Sequence, residues 1–127
     1  MNTSDVVDLL KTAFPAYTIY NNFINDKQQC VGVYSRGDTE DIIAIGGRHN
    51  SSYYIKPIQV IIHWSEDANE SENVANGFWS ILSDINTDIN GEHVKCFKML
   101  TSSAIELGRD NNNICEFSIR TNLMVHV

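Results

Sequence analysis

Tyr53-Tyr54-Ile55-Lys56-Pro57-Ile58-Gln59-Val60-Ile61-Ile62-His63-Trp64-Ser65 is the stretch on which the fold turns. Read with the two-residue period of a strand, Tyr54, Ile58, Val60, Ile62 and Trp64 fall on one side and Ile55, Gln59, Ile61 and His63 on the other. From Ile58 on, one side is wholly apolar and the other mixed, the pattern of a central strand with one well-covered face. Pro57 has no N–H to give to a ladder, so the opening of the strand is expected to be an edge or to carry a bulge, with the strand proper starting at Ile58.

The neighbouring segments supply what covers that face. Residues 67–86 repeat Val74, Phe78, Ile81, Leu82 and Ile85 at helical spacing, with Trp79 beside the stripe. Asp67 and Glu70 stand at the spacing of a capped helix start. Residues 4–13 read as a shorter helix, with Ser4 as cap, Val6, Leu9, Leu10 and Ala13 on one face, and Pro15 as its stop. Residues 17–22, 30–35 and 41–45 are short strands rich in Tyr, Ile and Val, separated by turn-forming residues. Residues 93–101 form a further strand. Residues 114–126 form another, with Cys115, Phe117, Ile119, Leu123 and Val125 on one face. Asn90-Gly91 and Asp110 to Asn113 are turns. The order implies one α+β domain over residues 1–127. A mostly antiparallel sheet of about five to six strands packs with two helices, one short and N-terminal, one long and central.

Composition bounds the function. The 127 residues carry a net charge of −7, and hydrophobic residues make up 43%. That supports a core without metal or disulfides. No run of apolar residues is long enough to span a membrane. The first fourteen residues lack the basic start and apolar run of a signal peptide, so synthesis in the cytoplasm is the expectation. Cys30, Cys96 and Cys115 are scattered and read as free thiols. The charge is concentrated. Residues 66–92 hold Glu66, Asp67, Glu70, Glu72, Asp84, Asp88 and Glu92 with no Lys or Arg, and the rest of the chain is neutral. One face is therefore expected to be strongly acidic, and with no basic patch in the sequence, direct nucleic-acid readout is disfavoured. Such a face serves either solubility or a basic protein partner.

No chemical motif stands out. His49, His63, His93 and His126 show no metal-ligand spacing. His63 admits two readings: a base near Glu66 or Glu70, or a buried ring hydrogen-bonded at a strand end. Arg36-Gly37-Asp38 matches an integrin-recognition tripeptide, but its surroundings are those of a turn. Gly46-Gly47 lacks the Lys-Ser/Thr of a phosphate loop. The residues point to no catalytic group, no cofactor and no metal site.

One constellation is more specific. Val60 to Ser65 leads into the helix bearing Glu70, Glu72 and the segment from Trp79 to Leu82. Lys98-Met99-Leu100, Leu107-Gly108-Arg109-Asp110 and Ile114-Cys115-Glu116-Phe117 follow. In order and spacing, roughly residues 28–121 resemble the small minor capsid and tail-terminator proteins of tailed bacteriophages and prophages of Gram-positive bacteria. The stretch Thr101-Ser102-Ser103-Ala104 departs from that pattern, which has a proline there, and Asn111-Asn112-Asn113 lengthens the turn.

The resemblance implies a fold like the phage lambda tail terminator. It implies a non-enzymatic virion part at the head–tail joint or tail-tube end, made in the bacterial cytoplasm. Its partners would be tail-tube or neck proteins and further copies in a ring, possibly a hexamer, with no membrane involved. In such a ring two different patches meet head to tail. The expected acidic side is Glu66, Asp67, Glu70 and Glu72; the expected facing side is Arg36, Arg48, Arg109 and Arg120. Asp38 and Asp110 lie in the adjoining loops. The competing reading is a small cytoplasmic α+β module of the host that binds a ligand or protein in a pocket lined by Trp64, Trp79 or His63.

Overall fold

The computed structural model of the chain describes residues 1–25, 27–37 and 53–126. The element order is α1 (Thr3–Ala13), β1 (Ile19–Asn21), β2 (Cys30–Ser35), β3 (Tyr53–His63), α2 (Ala68–Ser83), β4 (Thr87–Ile89), β5 (Glu92–Met99), β6 (Ile105–Arg109) and β7 (Cys115–His126). The class is α+β, with two helices on a mixed sheet. The strands lie in the order β1-β2-β3-β7-β5-β4, and β6 pairs with the first part of β7. β1 runs parallel to β2, while the other described pairs are antiparallel. The expected strand at residues 41–45 lies outside the described residues, as do Gly46-Gly47, Arg48 and Asp38.

β3 is central, as its pattern predicts. Ile62 pairs with Val31 on one side and Phe117 on the other, and Val60 pairs with Val33 and Ile119. These residues, with Ile58, Leu123 and Val125, form the sheet's share of one buried core. Val6, Leu9 and Leu10 of α1 and Ala75, Phe78 and Leu82 of α2 close it from a single side. The rings of Phe14 and Phe78 stack with centroids 3.8 Å apart, which joins the two helices. Each large side chain buried there contributes about 1.5–3 kcal/mol.

Pro57 shows how the edge is managed. The last β2–β3 pair is Ser35 with Ile58, while β3 stays paired with β7 back to Tyr53. The Arg36 N–H donates to the Pro57 carbonyl at 3.1 Å. Within a strand, N–H and C=O of one residue point the same way, so the missing donor of Pro57 faces the side where β2 has ended.

Four details differ from the sequence reading. The cap of α1 is Asn2, whose side chain accepts from the Asp5 N–H at 3.1 Å while Asp5 accepts from the Asn2 N–H at 3.0 Å. Asn2 has an acid three residues on and Ser4 has Val7, so only Asn2 can close the reciprocal pair. The first strand is only three residues long. α2 ends at Ser83, and the chain turns into β4, which pairs with β5 through Asn90 (φ 50°) and Gly91 (φ 82°). That left-handed pair suits a two-residue hairpin. Ile85 still packs on the core, so the apolar period alone could not see the helix end. Among the described residues the sheet has seven strands: no strand was expected at β4, and none at β6. The residues of β6 are largely exposed, so burial left no alternation to read.

Candidate functional site

Several of the quoted sequence fragments meet in one corner. His63 closes β3 with its ring on the side of the sheet away from the helices, and it is 0% exposed. Its Nδ1 lies 2.8 Å from the Gln28 carbonyl and its Nε2 2.7 Å from Asp110 Oδ2. Both partners are acceptors, so filling both contacts takes a proton on each ring nitrogen. Asp110 is held by its own turn: Oδ1 accepts from the Asn112 N–H at 2.8 Å and the Ile114 N–H at 3.0 Å. This Asx arrangement leaves Oδ2 for His63.

The electrostatics follow from burial and these bonds. Burial alone would raise the Asp110 carboxyl. The Ile114 N–H, the His63 ring and the Asn112 N–H together outweigh it and hold the group below its ordinary value. Glu116 pairs with His63 in register and goes the other way, its carboxyl raised by burial against the attraction of His63. Cys30 is the neighbour of His63 on the other side, and burial pushes its thiol up. A protonated, buried thiol is a poor nucleophile. The ring's two bonds go to Gln28 and Asp110, and neither goes to Glu66 or Glu70. The ring ties Gln28, the end of β3 and the turn into β7 to one point.

The start of α2 is fastened at the same corner. Asp67 caps it, accepting from the N–H groups of Asn69 and Glu70. The buried Ser71 hydroxyl donates to the Ser65 carbonyl at 3.3 Å, and Trp64 Nε1 donates to Glu70 Oε1 at 3.2 Å. Arg109 Nη1 donates to the Glu66 carbonyl at 2.8 Å and the Asn113 carbonyl at 2.9 Å.

The residues predicted to meet across an interface are therefore divided. Glu66, Asp67, Glu70, Arg109 and Asp110 share this corner and engage one another's segments within the chain. Arg36 stands elsewhere, its Nη1 donating to the carbonyls of Ile58 and Thr121 and to Asn122 Oδ1. It clamps β3 to β7 beside Pro57. Glu72 is exposed on α2. Arg120 is exposed and pairs in register with Gln59, on the side of the sheet away from both helices.

That side is partly open. At one end the chain around Phe23 and Ile24 covers Gly32, where a Cβ would stand 2.6 Å from the Phe23 carbonyl oxygen. Only glycine admits so close an approach. At the other end Ile105 and Leu107 are 46% and 53% exposed. With Gln59, Ser118 and Arg120 they line a groove of about 200 Å³. A second groove, of about 290 Å³, lies on the helix side between α1 and the α2–β4 connection, with Leu9, Ala13, Ile85 and Ile89 inside and Asp84 and Asp88 at its edge. Neither groove includes Trp64, Trp79 or His63. Trp64 instead packs edge-on against Tyr17. The exposed apolar residues of β6 were missed in the sequence; the only signal was Ile105 and Leu107 two apart before a glycine.

Among the described residues, no group of three or more His, Cys, Asp or Glu side chains could hold a metal ion, and no helix is long and apolar enough to cross a membrane. The chain matches no protein-family model and no curated protein.

Proposed function

We propose that the protein is a structural component of a tailed phage or prophage virion. In this reading it is a minor capsid or tail-terminator protein that acts at the head–tail joint or tail-tube end by assembly with other proteins. The observation that carries the reading is the division of the surface. One layer is helical and acidic; the other is a sheet face with exposed Ile105 and Leu107 and the cation of Arg120. A surface divided in this way suits a part that joins neighbours head to tail, because different patches meet in such a contact. A second support is the convergence at His63. The His63-Trp64-Ser65 step, Glu70 and Asp110, quoted above for the resemblance, are bonded into one corner. They hold the helix start and the last turn against the sheet, which is what a rigid assembly part requires. The lambda-terminator-like, mostly antiparallel arrangement belongs to the same proposal, as do the ring of copies and the tail-tube or neck partners.

The test is the absolute mass in solution by light scattering over a concentration and salt series. A discrete ring-sized species that loosens with salt supports the reading. A monomer that also fails to bind isolated tail tubes would count against it. In that case the host ligand- or protein-binding module gains, with the groove beside Asp84 as its site.

A further inference from the structure

We propose that the outward stripe at the C-terminal end of α2, formed by Gly77, Ile81 and the cap residue Asp84, docks on the open sheet face of a second copy at Ile105, Leu107 and Arg120. The proposal rests on the assembly reading and names the two surfaces that meet. Ile81 is 51% exposed, four residues after Gly77 and three before Asp84, so the three share one outward line. A Cβ at Gly77 would meet nothing within 4 Å. Among the described residues no packing asks for glycine there, although glycine weakens a helix interior. A helix backbone laid closely against a neighbouring molecule does ask for it.

The receiving face has matching chemistry. Gln59 Nε2 donates to Ser118 Oγ at 2.8 Å, so the polar floor of the groove is internally bonded. Ile105 and Leu107 leave apolar walls open, and Arg120 places a cation at the rim. Ile81 meets apolar walls and Asp84 meets Arg120. At the other end of α2, Asp67 caps the helix and Glu70 accepts from Trp64, while Glu72 is exposed; Asp84 is the acid that stands beside the exposed Ile81. The two surfaces lie on opposite layers of the molecule. A contact between them is heterologous and propagates into a ring or filament; it cannot close as a two-fold pair.

Full-length chains carrying Cys96→Ser, which removes the half-buried native thiol, and either Ile81→Cys or Leu107→Cys test the contact by disulfide trapping. Mixed together under mild oxidation, the two variants should give a cross-linked heterodimer, while each alone gives little. Asp84→Lys in the first variant or Arg120→Glu in the second should each cut the yield at least tenfold, and the two together should restore it. Absence of the mixed product, or an equal yield from Ile81→Cys alone, overturns the contact. If the unmodified protein is then still a discrete oligomer by light scattering, the assembly reading stands on another surface. If it is a monomer that binds isolated tail tubes, the assembly reading likewise stands on another surface; if it is a monomer that fails to bind them, both fall.

Discussion

His63 is a histidine whose place was legible and whose partner was not. A ring at a strand end next to an acidic helix start suggests Glu66 or Glu70, yet the bonded acid is Asp110, forty-seven residues on. His63→Ala removes the bonding partner of the Gln28 carbonyl and of a mostly buried carboxylate. It should cost about 2–4 kcal/mol, read as a lower urea midpoint at unchanged slope. Asp110 and Glu116 give opposite pH signatures. Because the folded Asp110 carboxyl lies below its ordinary 3.8, its contribution is complete above that value and is lost as pH falls through the folded value. Asp110→Asn should therefore be less stable than the parent at neutral pH, with the gap narrowing in acid. Glu116 lies above its ordinary 4.5, so its contribution is complete below that value and is lost as pH rises. Glu116→Gln should be more stable than the parent at pH 7 and indistinguishable from it at low pH. Unfolding curves between pH 3 and pH 8 check both.

At the scale of elements, α2 carries both a strong start and a weak middle. Asp67 satisfies two backbone N–H groups, and Asp67→Ala should lower stability by about 1 kcal/mol in thermal or urea unfolding. Gly77→Ala should raise monomer stability by about 0.5–1 kcal/mol, since a Cβ there meets nothing and alanine favours the helix. A destabilised Gly77→Ala monomer would mean that the helix bends at that point. β6 is the opposite case. Ile105 to Arg109 is a strand only because β7 offers it an edge, and a bulge between Glu106 and Gly108 interrupts the register. Bulges of this kind turn an edge away from unwanted pairing.

At the scale of the whole molecule, the acidic layer and the open sheet face are the two surfaces of the proposed contact. If they meet between copies, the association constant should fall as salt rises from about 50 to 500 mM, because contacts between exposed charges are screened over about 10 Å at 0.1 M. Arg120→Glu should abolish the oligomer and leave the unfolding midpoint of the monomer unchanged, because Arg120 is exposed at the end of its register pair. Sedimentation velocity on both proteins separates loss of assembly from loss of folding.

Local sequence determined the parts whose physics is local. The alternation in β3 and β7 placed the buried faces of both strands, because one side of each had to leave water. The stripe in α2 and the acid at Asp67 placed that helix and its start. Asn90-Gly91 marked its hairpin, because few other pairs accept two left-handed residues in succession. Only the tertiary structure decided where these parts meet. Asp110 reaches His63 because a turn in one segment is held against the end of another strand. Arg36 and Arg109 serve backbone carbonyls because those carbonyls are brought to them. β6 exists because β7 has an unpaired edge. Each of these depends on groups distant in the chain, and their energies appear only when the sheet closes and water is excluded, so no spacing within a segment records them.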